Sequence, residues 1–372
     1  MSTLVHFVEH CVAGIDTYVR SLLRAQINDP AFDRIVILTG ADDTAPFADE
    51  PDLLTDKVEV RHYPFSRSLL AQPKALLHVR RALKEIDGDV IFMHCSFPGL
   101  LGRVAKMLGG VRGRVIYNAH SWSFEQDRGG LTDWVYVQIE KFLAGQTDLV
   151  INCSHASMFL AEDRGVHFRD MRVIQNGVKD TASPPTTPAG PTEGPLKLGF
   201  IGRFDRQKGL DELLQGFSAC TRDDIALTLV GWSHLQDSSA ANPALDDPRI
   251  TVAGKIPPLE IDAAYRGFDA LVMPSRYEGL PLVALEAMRN ACPLLLSDRT
   301  SLPYLVVPGF NGDVFSFNHP HTLTALLNGL DRPSLKKMGM NARTVYEATY
   351  REDMMVAETN RLIKEQAGMV AK

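Results

Sequence analysis

Residues 270–293 read Ala-Leu-Val-Met-Pro-Ser-Arg-Tyr-Glu-Gly-Leu-Pro-Leu-Val-Ala-Leu-Glu-Ala-Met-Arg-Asn-Ala-Cys-Pro. The apolar run Ala270 to Met273 has the length and content of a buried parallel strand. A Gly-Leu-Pro turn follows, with Pro281 suited to a first helical position, where a missing N–H is no loss. Such a turn brings free backbone N–H groups and a helix dipole to the carboxyl edge of a sheet, where an anion can sit. Glu278 lies before the expected helix and Glu286 inside it. At a rise of about 1.5 Å per residue their carboxylates stand roughly 10 Å apart. That separation suits hydroxyl-rich groups on either side of a diphosphate, which describes a nucleotide sugar.

A bare pair of glutamates at this spacing says little, because a solvated helix carries one by chance. The whole string, a strand, then S-x-x-E-G-L-P, then E-A-M, is specific. It resembles the E-x7-E motif of the retaining glycosyltransferases of family 4, which have the GT-B architecture. The resemblance implies that Glu278 and the backbone at Gly279–Leu280 bind the donor sugar and that Glu286 accepts hydrogen bonds from the ribose hydroxyls.

Outward from this motif, short β-rich runs alternate with helical patterns along the chain, as in parallel sheets with helices on both faces. The expected strands are 4–8, 34–39, 58–63, 90–94, 115–118, 149–153, 173–175, 196–201, 227–230, 250–252, 271–273 and 294–296. Expected helices include 16–26, 74–86 and 132–144. Residues 181–195 are proline-rich and carry no large apolar side chain, so little is buried there to offset ordering. They read as an interdomain linker, with a long surface loop as the alternative. The organisation expected is an α/β GT-B fold, with two Rossmann-like domains facing each other across a cleft. Residues 1–180 form the acceptor domain and 196–350 the nucleotide-sugar domain. By the resemblance, the helix in 351–372 packs back on the first domain.

The second domain opens Leu-Lys-Leu-Gly-Phe-Ile-Gly-Arg-Phe-Asp-Arg-Gln-Lys-Gly-Leu from Leu196. Arg203 and Lys208 fall in a loop between a strand and a helix whose apolar stripe is Leu210, Leu213, Leu214 and Phe217. Two cations and a helix N-terminus form a diphosphate cradle, the Arg as a planar fork and the Lys as a mobile point charge. The string resembles the family pattern G-R-x-x-x-x-K-G, whose Arg and Lys hold the donor diphosphate. By the same resemblance the loop Gly254-Lys255-Ile256 holds the nucleobase. Gly14, in an Ala13-Gly14 pair where two glycines are common, serves as the glycine loop. His120, ending the strand at 115–118, hydrogen-bonds the donor sugar. His94 ends another strand and is a second candidate. Ala291 replaces a family glycine, a change tolerated where φ is negative, and Tyr304 stands where a glutamate is usual.

Composition narrows the function classes. A chain of 372 residues exceeds one hydrophobic core, and a net charge of −6 argues against general nucleic-acid binding. The five cysteines are scattered and read as buried thiols in a reducing compartment. No metal is expected: Asp87-Gly88-Asp89 matches D-x-D but reads as a turn whose glycine permits positive φ. No cofactor is expected beyond the nucleotide-sugar co-substrate. Ten Lys or Arg lie in 61–84 and 90–124 together, with no acid in either stretch. Leucines interleave the cations of 67–84, a pattern suited either to a solvated helix face or to a membrane surface. No apolar run is long enough for a span and no signal-peptide layout is present, so a cytoplasmic protein, peripheral on the inner membrane face, is expected. The expected activity is metal-independent, retaining hexosyl transfer to a lipid-linked glycan for surface or exopolysaccharide synthesis. A GT-B sugar-nucleotide epimerase and a catalytically silent GT-B partner subunit are the alternatives.

Overall fold

A computed structural model describes residues 2–11, 13–43, 45–66, 68–126, 129–232 and 243–369. The chain forms two compact Rossmann-like units, Met1–Asn176 with Asp353–Lys372, and Gly177–Glu352.

The first unit holds β1 (Thr3–Phe7), α1 (Ala13–Gln26), β2 (Arg34–Gly40), β3 (Val58–Tyr63), α2 (Gln72–Ile86) and β4 (Val90–His94). It continues with α3 (Ser96–Met107), β5 (Arg114–Asn118), α4 (Gly130–Leu143), β6 (Leu149–Asn152), α5 (His155–Asp163) and β7 (Met171–Val173). The strands are parallel in the order β3-β2-β1-β4-β5-β6-β7. Alternation sorts neighbouring residues onto opposite faces: Val5 and Phe7 join one core cluster, Leu4 and Val8 the other. Both faces are covered, which is why the strands read as continuous apolar runs.

In the second unit lie β8 (Leu196–Arg203), α6 (Leu210–Ser218), β9 (Ile225–Trp232), β10 (Ile250–Gly254), α7 (Ile261–Arg266) and β11 (Ala270–Met273). After these come α8 (Leu282–Arg289), β12 (Leu294–Ser297), β13 (Gly312–Phe315), α9 (Pro320–Gly329) and α10 (Arg332–Thr349). Its parallel sheet runs β10-β9-β8-β11-β12-β13. The last helix, α11 (Glu352–Gln366), places Met355, Val356, Leu362 and Ile363 in a core cluster of the first unit. In each sheet the strand order reverses once, between β1 and β4 and between β8 and β11. The carboxyl ends of those strand pairs are where open α/β sheets bind ligands.

Several sequence expectations change. Residues 181–195 are not a free linker, because side chains from distant helices strap this stretch to the second unit. Lys336 Nζ donates to the carbonyl of Gly190 at 2.6 Å, and Arg266 to those of Ser183 at 2.6 Å and the hydroxyl of Thr181 at 3.2 Å. Just upstream, Arg343 takes both oxygens of Asp180 at 2.7 Å. Ala291 sits at φ 55°, not at negative φ, at a cost of roughly 1 kcal/mol or more relative to glycine. In the D-x-D turn the positive φ belongs to Asp87, at 48°. Gly88 is required for space instead, since a Cβ there would meet Val5 Cγ2 at 2.6 Å. Pro281 takes the N-cap position and Leu282 begins α8. The edge strand expected at 173–175 is β7, two residues earlier, set by its pairing with β6.

Candidate active site

At the switch point of the second sheet, the loop after β8 and the loop after β11 are stitched together. Arg276 N–H donates to the Gln207 carbonyl at 2.8 Å, and Gln207 Nε2 to the Tyr277 carbonyl at 3.2 Å. Gly209 makes this approach possible: it has φ 65°, and a Cβ there would lie 2.0 Å from the Pro274 oxygen. Lys208 Nζ reaches Glu278 Oε1 at 2.6 Å, with side chains 16% and 8% exposed. Two motif residues 70 positions apart therefore form one nearly buried ion pair. The Glu278 backbone is pinned from both sides. Its N–H donates to Thr300 Oγ1 at 2.8 Å, while Thr300 and Ser301 hydroxyls each donate to its carbonyl at 3.0 Å.

Arg203, at the end of β8, is 43% exposed and shares its guanidinium between Gln207, at 3.0 Å, and Asp205, at 3.1 Å. Asp205 also caps the Lys208 N–H at 3.1 Å. The first turn of α6 carries Asp211 and Glu212, which would repel a diphosphate. Arg276 offsets both, bonding Asp211 at 3.0 Å and Glu212 directly. Within this cluster Asp211 is held down to about 2, and Glu212 is pushed up to about 7 by burial and by Asp211.

Glu286 lies one helix away on α8, where Oε2 accepts from the Tyr265 hydroxyl at 2.8 Å. Burial pushes its carboxyl above the ordinary range, against the opposing pull of Arg289 and of the Tyr265 hydrogen bond. Leu280 is buried, next to Gly279. Gly254 ends β10 at φ 72° with open space around it, so conformation alone calls for glycine there. Lys255 is exposed, and its Nζ lies 5.2 Å from the centroid of the Trp232 ring at the end of neighbouring β9. Ile256 is half-buried beside them. Trp232, Tyr265, Thr300 and Ser301 escaped the sequence reading. A tryptophan directly after the Gly231 that follows a strand was the only local signal among them.

The first unit carries the remaining candidates. His120 follows β5 with φ 58°, its N–H donating to Asn118 Oδ1 at 2.8 Å and its carbonyl accepting from Cys153 Sγ at 3.1 Å. His94 is fully buried at the end of β4, with its Nδ1 3.2 Å from His120 Nε2. Gly14 does not form a loop. It lies exposed in the first turn of α1, because the helix begins at Ala13 rather than Asp16. Among the described residues no group of three or more His, Cys, Asp or Glu is placed to hold a metal ion.

The sequence matches two family models in succession: the glycosyl transferase 4-like domain over residues 13–177 and the glycosyl transferases group 1 domain over residues 188–345. The chain belongs to the GT-B glycosyltransferases, broadly of the family 4 type. It transfers a sugar from a nucleotide-diphosphate donor. This glycosyltransferase is 27% identical to an uncharacterised 41.2 kDa protein in the cps region of Klebsiella pneumoniae, over 70% of this chain and 75% of that one. It is 26% identical to the Escherichia coli UDP-Gal:alpha-D-GlcNAc-diphosphoundecaprenol alpha-1,3-galactosyltransferase, over 78% of this chain and 80% of the other. Sucrose-phosphate synthase from Thermosynechococcus elongatus shares the fold, with a TM-score of 0.79 at 18% identity over all of both chains.

Proposed function

We propose that the protein is a retaining, metal-independent hexosyltransferase that uses a UDP-sugar and glycosylates a lipid-linked glycan in surface or exopolysaccharide synthesis. The observation that carries this reading is the Lys208–Glu278 contact at the β8/β11 switch point. It brings to one sheet edge the cation we assign to the diphosphate and the carboxylate we assign to the sugar. Arg203 and Lys208 take the diphosphate. Glu278 with the Gly279–Leu280 backbone takes the sugar, Glu286 the ribose, and Gly254, Lys255 and Ile256 the base. His120 contacts a sugar hydroxyl, and Gly14, in the first turn of α1, serves phosphate or acceptor. Side-chain cations and helix N-termini stabilise the leaving diphosphate. That phosphate helps deprotonate the acceptor in a front-face displacement, so no separate general base is needed.

Thermal shift with UDP-, GDP-, ADP- and dTDP-sugars, with and without EDTA, tests the donor. At a hundredfold excess over Kd a bound donor adds about 2.7 kcal/mol of stability. UDP-sugars should give the largest shift, unchanged by EDTA. A shift that appears only with added divalent metal would end the metal-independent reading.

The lipid acceptor is supported by the E. coli relative, whose name specifies a diphosphoundecaprenol-linked sugar. A second support is the outer surface of α4, where Leu131, Trp134, Val135 and Phe142 are exposed beside Lys141. The acids of α4, Asp133 and Glu140, are buried. The basic surface itself is smaller than its sequence implies. Arg103 is buried against Glu140, Arg81 and Arg61 pair with Glu85, and Lys106 and Arg114 share Asp148. Arg67 lies outside the described residues. Among those described, Lys74, Arg80 and Lys84 on α2 and Arg112 have no ion-pair partner, Arg80 bonding the carbonyls of Leu108 and Gly109 instead. No described helix is long and apolar enough to cross a membrane, and a peripheral, inner-face location is proposed. Anionic vesicles should therefore bind the protein in a salt-sensitive way. Changing Lys74 and Lys84 to Gln and Trp134 and Phe142 to Ser should weaken partitioning by more than about tenfold. Equal partitioning would make a soluble acceptor the better reading.

A further inference from the structure

Three imidazoles cross the core of the first unit on adjacent strands. His6 sits within β1 and His94 at the end of β4, both fully buried, and His120 lies just past β5. His6 Nδ1 is 3.1 Å from His94 Nε2, and His94 Nδ1 is 3.2 Å from His120 Nε2. At the inner end His6 Nε2 is 2.9 Å from Gln26 Oε1, and Gln26 Nε2 donates to Asn360 Oδ1 on α11 at 2.8 Å. The rings are nearly parallel, at 22° and 19°, and the Tyr18 ring meets His120 edge-on at 4.9 Å. Burial pushes His6 and His120 down to about 4 and His94 well below its ordinary value, so all three are neutral at pH 7.

Each neutral imidazole carries one donor and one acceptor nitrogen, so the proton positions along the row are not independent. Asn360 orients the Gln26 amide and turns its oxygen toward His6. His6 must then hold its proton on Nε2 and accept at Nδ1 from His94 Nε2–H. His94 in turn accepts at Nδ1 from His120 Nε2–H. His120 Nδ1 is left as a bare acceptor, and it has no hydrogen-bond partner among the described residues.

We propose that Asn360, Gln26, His6 and His94 are positioning residues that lock His120 in the Nε2–H tautomer. His120 thereby offers an acceptor nitrogen that selects a hydroxyl and repels an unprotonated phosphate oxygen. The last step rests on the reading of His120 as a sugar contact, whereas the locked tautomer does not.

Two-bond 15N–1H correlation spectra of the full chain, labelled at histidine, read the tautomer directly, and a His120→Gln variant assigns the resonance. At pH 7 wild type should show His120 as a single Nε2–H tautomer. Gln26→Leu should give a mixture, and Gln26→Glu, whose carboxylate also accepts from His6, should restore the single form. Loss of the lock should lower kcat/KM for UDP-galactose hydrolysis by about 2- to 10-fold, the worth of one hydrogen bond. A wild-type His120 protonated on Nδ1 or on both nitrogens overturns the proposal, even where the Gln26 variants fail to fold. So does a single Nε2–H form that survives Gln26→Leu. A correct tautomer with full turnover in His120→Ala would instead remove the sugar-contact reading and leave the lock intact.

Discussion

Lys208→Ala should lower turnover by about 10²-fold or more, the effect of losing one preorganised positive group at a developing anion. Its second effect follows from the 2.6 Å contact with Glu278, whose side chain is only 8% exposed. Removing the lysine leaves a nearly buried carboxylate without its cation, which should cost roughly 1–3 kcal/mol of stability. The sequence motif alone suggests a surface lysine whose loss leaves folding almost untouched, and the ion pair changes that expectation. The two effects separate in a double variant. Lys208→Ala with Glu278→Gln should recover much of the lost stability, because the uncompensated charge is gone, and none of the turnover. Arg203→Ala, at a side chain 43% exposed, should lose activity with little change in Tm. Denaturant midpoints and steady-state rates on wild type, these three variants and Glu278→Gln alone decide the matter. Turnover near wild type in Lys208→Ala would remove the diphosphate assignment. Additive stability losses in the double variant would show that the pair is not coupled.

Most of the fold was legible because strands buried on both faces leave apolar runs that need no tertiary knowledge, as at Val90–His94 and Ala270–Met273. The short edge elements were not. Gly312–Phe315 opens with glycine and an acid, and only pairing with β12 makes it a strand. The stretch 181–195 misled for a related reason. Its own composition offers nothing to bury, and what holds it comes from Arg266 and Lys336, far along the chain. Motif residues were legible one by one, but their contacts were not. That Lys208 meets Glu278, or that Asn360 on the last helix reaches Gln26, is set by the order of strands and the return of α11. His6 illustrates the limit. Inside an apolar strand it reads as an ordinary core histidine, and only His94 and Gln26 on either side give its proton a direction.

Glu286→Gln should weaken donor binding at neutral pH by about 10- to 100-fold, the worth of a hydrogen bond or two to a charged acceptor. The amide keeps one acceptor but offers an NH2 where a ribose hydroxyl must donate. Because the ribose is remote from the reacting carbon, the loss should appear in KM with kcat little changed. The pH dependence gives a sharper test. Burial raises the Glu286 carboxyl above its ordinary 4.5, so the folded protein holds this proton more tightly than the unfolded chain. Its contribution to stability is complete below 4.5 and is lost as pH rises through the raised value. Hydroxyl donors on the nucleotide favour the ionised form, so the donor draws the carboxyl back toward its ordinary range. Binding must then tighten as pH rises through the same window, and a proton must leave as the donor arrives. Calorimetry of UDP binding in two buffers of different ionisation enthalpy measures that proton. It should be released by wild type in this window and not by Glu286→Gln. Tyr265→Phe should keep the release and move the window upward, since the phenol's hydrogen bond to Oε2 is one of the two contacts holding the carboxyl down. A Gln variant that binds UDP as tightly as wild type, with the same dependence on pH, would place the ribose elsewhere on the sheet edge.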